Sequence, residues 1–136
     1  MENRTYEGLP HFRIEGKLPS LNEYLEACGE NPKRGIAMKN ESKKIVVGQI
    51  RSYLPHLRVS KPIVIHYVFY EPWPSGNAKL RDYDNIFSYA SKVVQDAMKQ
   101  TKIIQDDGPK YIRNFSHAFH YSKTDPHIDV YIQELR

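Results

Sequence analysis

The chain has 136 residues, of which 40% are hydrophobic and 26% are charged, a composition typical of a globular domain rather than of a disordered segment. This length is usual for one domain, so we expect a single domain over residues 1–136 with a loose terminus over residues 1–8. The only cysteine, Cys28, excludes an internal disulfide and a cysteine-based zinc site. No apolar run has the length of a membrane span and no signal-peptide core opens the chain, so the sequence predicts a soluble, cytoplasmic protein.

Positive charge is concentrated in one part of this basic chain, whose formal net charge is +4. Residues 33–61 contain eight Lys or Arg side chains and a single acid, Glu41. The basic residues are Lys33, Arg34, Lys39, Lys43, Lys44, Arg51, Arg58 and Lys61. Such a local excess attracts polyanions, above all nucleic acid, although a solvated helix face would have the same composition.

The first half of the chain predicts a strand and then a helix. The stretch 11–17 alternates between apolar and polar residues, as a strand does. Turns are expected at 19–22 and at Asn31-Pro32. A helix is expected over about 35–54, because its apolar residues recur at spacings of three and four and Pro55 then ends it. The apolar positions are Val46, Ile50, Tyr53 and Leu54.

The middle of the chain predicts a central strand, a loop and a second helix. Residues 62–70 are β-branched or aromatic on both faces, which is typical of a strand inside a sheet. The loop 71–80 is rich in turn formers. A helix is expected over 86–100, where one apolar stripe recurs with helical periodicity. The stripe consists of Ile86, Ala90, Val93, Val94, Ala97 and Met98.

The last third predicts a turn at 106–109 followed by strands over 111–121 and 128–135. In the final strand, apolar residues alternate with polar ones from Ile128 onward. The coarse order is therefore β-α-β-α-β-β. This order predicts one α/β (α+β) domain, a mixed β-sheet flanked by two main helices.

Two acids stand where the loop 71–80 meets the second helix. Asp82 and Asp84 lie within the sequence RDYDN, and residues two apart point to one side if that stretch is extended. Two neighbouring carboxylates repel each other unless a cation lies between them, and Mg²⁺ binds one or two such groups together with water and phosphate oxygens. The alternative is that Asp84 is simply a helix N-cap and Asp82 is solvated.

A second acid pair, Asp106 and Asp107, follows that helix. About sixteen helical residues span roughly 24 Å, so the two pairs meet only if the chain doubles back or a partner chain contributes. By itself, an Asp-Asp-Gly sequence indicates a plain turn. Lys92 lies two helical turns after Asn85 on nearly the same face, where it could reach a phosphate held by a metal. The default for such a residue is a solvated surface lysine.

The run RDYDNIFSYASKVVQDAMKQTKIIQDDGPKYI resembles the signature of the RusA family of Holliday-junction resolvases. That family has R-D-x-D-N, a helix with a lysine and a D-A-[LM] step, and then an Asp-Asp pair before a strand. The segment LPSLNEYLEA, with Asn22, is similar to the early Pro-x-x-Asn segment of the family, and the basic helix around Lys39–Lys44 occupies the corresponding place. The resemblance covers about residues 18–112.

The resemblance implies a small homodimeric, Mg²⁺-dependent endonuclease, often encoded by phages or prophages, that nicks two opposed strands of a four-way DNA junction symmetrically in recombination and repair. Carried over by motif, Asp82, Asp84 and Asp107 would be the catalytic, metal-binding acids, with Asp106 in the same site. Lys92 would be the catalytic lysine. The ungapped position for this lysine is Ser88, one turn earlier, so an added helical turn that keeps the same face must lie between Asn85 and Lys92.

The expected chemistry is phosphodiester hydrolysis with Mg²⁺, for which Mn²⁺ can substitute, and without an organic cofactor or a membrane. Lys92 would stabilise charge on the phosphate or the leaving oxygen. Six side chains are expected to contact the DNA backbone: Lys79, Arg81, Lys39, Lys43, Lys44 and Arg51. Alternatives are a nuclease for flaps or other branched DNA, a non-catalytic nucleic-acid-binding module and a structural phage protein.

Overall fold

A four-stranded sheet with helices on one face organises the chain. The computed structural model describes residues 4–76 and 79–136. After a short 3-10 turn, its elements are β1 (His11–Glu15), α1 (Leu21–Glu30), α2 (Pro32–Tyr53), β2 (Ile63–Pro72), α3 (Tyr83–Gln100), β3 (Ile112–Ser122) and β4 (His127–Glu134). The order β-α-α-β-α-β-β confirms the predicted mixed α+β domain and adds one helix, α1. Within the described ranges, no helix has the length and apolar composition needed to cross a bilayer.

The strand order β1-β4-β2-β3 places β2 inside the sheet, as its apolar faces predict. Strands β2 and β3 are parallel, whereas β4 pairs antiparallel with both β1 and β2. A parallel pair requires a crossover, and α3 supplies it. Helix α3 therefore begins near the end where β2 finishes and returns the chain to the end where β3 starts.

The helices α2 and α3 cover the sheet through apolar stripes. All six predicted stripe residues of α3 are buried. On α2, Val46 and Ile50 are buried as predicted, and Val47 joins them. The prediction is wrong for Tyr53, which is 44% exposed because it lies in the last turn of α2, where its ring packs edge-on with the His11 ring.

Two segments predicted as turns begin helices instead. Ser20 caps α1 through a capping box, in which its Oγ accepts a hydrogen bond from the Glu23 backbone N–H and Glu23 Oε1 accepts one from the Ser20 N–H. Asn31 caps α2, with Pro32 as the first helical residue. The first main helix therefore starts at residue 32 rather than 35, and the predicted turn at 19–22 is the cap of α1.

Within the N-terminal segment predicted as a loose terminus, Tyr6 contacts the sheet, while residues 1–3 lie outside the described part. The Tyr6 ring stacks on the His66 ring at a centroid distance of 4.3 Å. Its hydroxyl lies 3.3 Å from Ser116 Oγ. These contacts lie on the sheet face opposite the helices and hold the segment there.

The same open face carries a buried carboxylate, Asp129, on β4. Its Oδ1 accepts hydrogen bonds of 2.9 Å from Arg13 Nε and from His11 Nε2. The His127 Nε2 lies 3.3 Å from Oδ2. Burial opposes ionisation, but these partners outweigh it and hold the pKa of Asp129 below its usual value. The carboxylate thus joins β1 to β4 at the open face.

The Asp129→Asn substitution is expected to lower the free energy of unfolding at pH 7 by about 2 kcal/mol, since it removes charge-assisted hydrogen bonds. A depressed folded pKa stabilises the protein above the unfolded value of about 3.9, and this contribution is lost as pH falls through the folded pKa. The difference between wild type and variant, measured by urea unfolding, should therefore shrink below about pH 4. Asp125→Asn, an exposed neighbour, is the control, and equal losses in both variants would contradict this account.

Candidate functional site

The start of α3 presents two exposed aspartates on either side of Tyr83. Asp82 occupies the N-cap position with φ −71° and ψ 134°, yet its side chain makes no capping hydrogen bond. Asp84 Oδ1 accepts only the adjacent Asn85 N–H, at 3.0 Å. Among the described residues, neither carboxylate forms an ion pair. The expectation that Asp84 is the cap is therefore wrong, and both carboxylates keep oxygens available for a ligand.

The residue before these aspartates, Arg81, points into the protein. Its Nε and Nη2 donate to the two oxygens of Glu71 at 2.9 and 2.8 Å. Its Nη1 donates to the Leu18 carbonyl and to Glu23 Oε1 at 2.8 and 2.9 Å. The guanidinium thus connects the end of β2, the start of α1 and the start of α3.

This network occupies the guanidinium of Arg81, which was expected to contact DNA. Burial disfavours its charge, but the hydrogen bonds to Glu71 and Glu23 outweigh burial and raise the pKa of Arg81. The same contact with Arg81, together with the Ser20 cap, outweighs burial at Glu23 and lowers the pKa of that carboxyl. Because its donors are satisfied within the chain, Arg81 is left out of the proposed DNA-contacting set.

The second acid pair lies beside the C-terminal half of α3. Asp107 Oδ2 lies 3.3 Å from Lys92 Nζ and 3.2 Å from Lys99 Nζ. Both lysines also approach Asp96 Oδ1, at 3.6 Å each. Burial opposes ionisation of Asp107, but the two lysines outweigh it and lower its pKa. The hydrogen bond to Asp107 raises the pKa of Lys99 in turn.

Lys99 and Asp96 belong to this cluster but were absent from the sequence-based candidates. The sequence spacing indicates this cluster. Lys92 and Asp96 are four residues apart and Asp96 and Lys99 are three apart, so all three lie on one helix face. Asp106 is exposed and accepts the Asp107 N–H through its Oδ1 at 2.8 Å. It therefore shapes the turn that carries Asp107.

The structure brings Lys92 to Asp107 but not to the aspartates at the start of α3. After α3 the chain reverses at Lys102, which has a φ of 65°. The returning chain places Asp107 beside Lys92, and Lys92 lies eight residues, or about 12 Å along the helix axis, beyond Asp84. Within residues 4–76 and 79–136, no three His, Cys, Asp or Glu side chains are grouped to hold a metal. One chain thus holds two separate halves of the predicted site.

The basic residues of α2 fall into two groups. Lys44 and Arg51 are exposed, and at 100° per residue they share an outer face of the helix with Lys33. Lys39 and Lys43 are half-buried, and Lys39 Nζ lies 5.9 Å from the ring centroid of Tyr24 on α1. In the loop before α3, Lys79 is exposed. Lys33, Lys44 and Arg51 therefore form one exposed basic face on α2, and Lys79 adds a separate exposed charge.

A scan against protein-family models finds no match for this chain, and a search of curated proteins finds no significant relative. We therefore infer the function from the RDYDN sequence and from the geometry of the residues around it.

Replacing Arg81 with Met is expected to lower the free energy of unfolding by about 3 kcal/mol, because it leaves the buried Glu71 carboxylate without its partner. Urea unfolding at pH 7 measures this loss. Lys79→Met, two residues away on the exposed loop, makes the same chemical change and should alter stability by less than about 0.5 kcal/mol. Similar losses in the two variants would show that the guanidinium network does not anchor the start of α3.

Proposed function

We propose that the chain is a Mg²⁺-dependent endodeoxyribonuclease of the RusA type, which resolves four-way DNA junctions by paired symmetric nicks in recombination and repair. The observation that carries the proposal is the state of the RDYDN acids. Asp82 and Asp84 are exposed at a helix start, and neither is used for capping or for an ion pair among the described residues. A purely structural role would account for one exposed aspartate without a partner at a helix start more readily than for two.

The donor set at the start of α3 fits a hard divalent cation. Two carboxylates one residue apart supply the oxygen ligands that Mg²⁺ uses, and their exposure leaves room for water and for phosphate oxygens. When bound there, Mg²⁺ would activate a water molecule and offset charge on the phosphate during phosphodiester hydrolysis. Mn²⁺ prefers similar ligands and would substitute. No organic cofactor is required for this reaction.

Lys92 is the cation that this chain offers to the phosphate. It is exposed and lies on the face of α3 that also carries Lys99 and Asp96. As a point charge it would stabilise the negative charge that develops on the phosphate or on the leaving 3′-oxygen. Ser88, one turn closer to Asp84, is also exposed but has no charge to contribute.

A second copy of the chain would unite the two halves of the site. Asp84 lies in the first turn of α3, whereas Asp107 lies beside Lys92, further along the helix. A two-fold axis across the middle of α3 would bring the start of one α3 towards the later turns of the other. In an isologous pairing of this kind, each contact between a residue of one chain and a different residue of the partner occurs twice, so two equivalent sites form. The proposed enzyme is therefore a homodimer in which Asp82 and Asp84 of one chain act with Asp107 and Lys92 of its partner.

The proposed DNA contacts come from basic side chains that remain exposed. Lys44 and Arg51 lie on the outer face of α2, and Lys79 precedes the acids. Lys39 and Lys43 are half-buried and would contribute through the ends of their side chains. Such contacts position the DNA backbone without reading its sequence. The proposed location is the cytoplasm of a bacterial or phage-infected cell.

One observation favours a non-catalytic module that binds branched DNA. Lys92 and Lys99 already neutralise Asp107, and no three-ligand group exists within the described part of one chain. In that alternative the aspartates have a structural role, and the basic surface binds DNA without cleavage. A nuclease for flaps or other branched DNA would share the same metal site and differ only in its substrate.

Asp84→Asn is expected to abolish cleavage of a labelled four-way junction in Mg²⁺ and to leave binding within about twofold, because it removes a metal ligand and not a DNA contact. Gel assays with junction, flap and linear duplex measure both properties. Asp125→Asn, an exposed aspartate distant in sequence, is the matched control and should cleave normally. Wild-type rates in Asp84→Asn would exclude this site, and binding without cutting by wild type in Mg²⁺ and Mn²⁺ would favour the non-catalytic module.

Mixed dimers test whether partners share a site. Asp84→Asn and Asp107→Asn chains, each inactive alone, should regain roughly one quarter of wild-type nicking when equal amounts form dimers at random, because half the dimers would have one intact site. A mixture of Asp82→Asn with Asp84→Asn should stay inactive, since both aspartates of a site come from the same chain. No recovery in the first mixture, with mixed dimers confirmed by differential tags, would place each complete site within one chain.

A further inference from the structure

A stack of three aromatic rings leads from the core to the surface beside the candidate acids. The Phe69 ring, buried in β2, is parallel to the Phe119 ring of β3, with centroids 4.7 Å apart and planes 6° apart. The Tyr83 ring continues the stack on Phe119 at 4.0 Å and 5°. Tyr83 is nevertheless 45% exposed. The outermost ring of the stack is therefore open to a further planar partner.

The stack ends at the residue that separates the two aspartates of the proposed metal site in the chain. Tyr83 is the residue between Asp82 and Asp84 and the first residue of α3. The Tyr121 ring lies beside it, with centroids 6.5 Å apart and planes tilted by 38°. The Tyr83 ring is thus held at one face by Phe119 and flanked by Tyr121. A partner that extended the stack would lie next to the residue that separates the two acids in the chain.

Aromatic and basic side chains continue from the stack along the surface. Trp73 meets the Tyr121 ring edge-on at 5.8 Å, and Lys123 Nζ lies 5.6 Å from the centroid of the Trp73 ring. A groove of about 210 Å³ borders Trp73 and Tyr121 and is lined by Lys17 and Lys79. Among the described residues, these three lysines form no ion pair. Their charge complements a polyanion.

We propose that the Tyr83 ring stacks on a nucleobase that is unpaired at the branch point of the DNA, next to the phosphate that is cut. The proposal rests on the proposed function and adds the feature of the substrate that the site recognises. Every base has a π-face, so stacking selects an unpaired base without selecting its identity. The lysines beside Trp73 hold the phosphates of the same strand, and Asp82 and Asp84 lie on either side of the stacked base.

The surroundings favour DNA over a second copy of the chain as the partner of this ring. A surface that pairs two copies is depleted of charged groups at its centre. Here the ring belongs to the residue between two exposed aspartates, and the groove next to Tyr121 is lined by lysines that form no ion pair among the described residues. DNA with an unstacked base complements the lysines, the aspartates and the exposed ring together. Its phosphates would pair with the lysines and, through a bound metal ion, with the aspartates, and the base would stack on the ring.

The test uses a four-way junction with 2-aminopurine, a fluorescent adenine analogue, at the branch point or within an arm, with the full chain in Ca²⁺. Wild type and Tyr83→Phe should quench the branch-point fluorophore and leave the arm fluorophore unchanged. Tyr83→Leu should lose the quenching and bind the junction roughly tenfold more weakly, as the loss of one stacked base predicts. Tyr53→Leu, which replaces an equally exposed tyrosine on α2, is the matched control and should behave as wild type.

The outcomes separate the stacking proposal from the nuclease proposal. Wild-type quenching and binding by Tyr83→Leu would overturn stacking even if the enzyme cleaves junctions normally. Tyr83-dependent quenching in a protein that cuts nothing in Mg²⁺ or Mn²⁺ would support stacking and overturn the nuclease function. Conversion of Tyr83→Leu, but not of Tyr53→Leu, to a monomer in sedimentation would assign the ring to a protein interface and overturn stacking. Equal quenching of the arm and branch-point fluorophores by wild type would also overturn it, independently of any variant.

Discussion

The partly buried guanidinium of Arg81 is the constraint on which the geometry of the candidate site depends. It is the common partner of the end of β2, through Glu71, and of the start of α1, through Glu23 and the Leu18 carbonyl. Neither a buried arginine nor a buried glutamate is stable alone, so the pair fixes the position at which α3 must begin. The next residue is Asp82, whose side chain then has no partner among the described residues to turn it inward.

The length of α3 explains why the predicted acids form two groups and not one. A crossover between parallel strands has to travel the length of the sheet, so residues before and after α3 lie at opposite ends of it. Asp107 follows the chain reversal at Lys102 and lies beside Lys92, in the middle of α3. The RDYDN acids precede the helix. The continuous helix from Tyr83 to Gln100 keeps the two groups of acids apart. In the proposed enzyme, a second chain would bring them together.

The periodic parts of the fold could be predicted from the sequence because their side chains interact with one continuous core. Strand β2 and the stripe of α3 are examples. Helix α1 was missed because Pro19 and Asn22 suggested a turn, although Ser20 and Glu23 have the spacing of a capping box. The role of Arg81 could not be predicted, since its partner Glu23 lies 58 residues away in the chain and no spacing rule links them. An arginine beside two acids is by default a surface residue.

The positive charges near the acids indicate how the two halves of the site would work together. Lys92 and Lys99 neutralise Asp107 in the free chain. A divalent cation would therefore bind Asp107 with less favourable electrostatic free energy than it would bind Asp82 and Asp84, which form no ion pair among the described residues. In the proposed enzyme, a phosphate held near Asp82 and Asp84 would attract Lys92 and so weaken its ion pair with Asp107. Asp96, whose Oδ1 lies 3.6 Å from Lys92 Nζ and from Lys99 Nζ, would remain as a counter-charge for Lys99. Asp107 would then be more available to bind a cation when DNA is present than in the free chain.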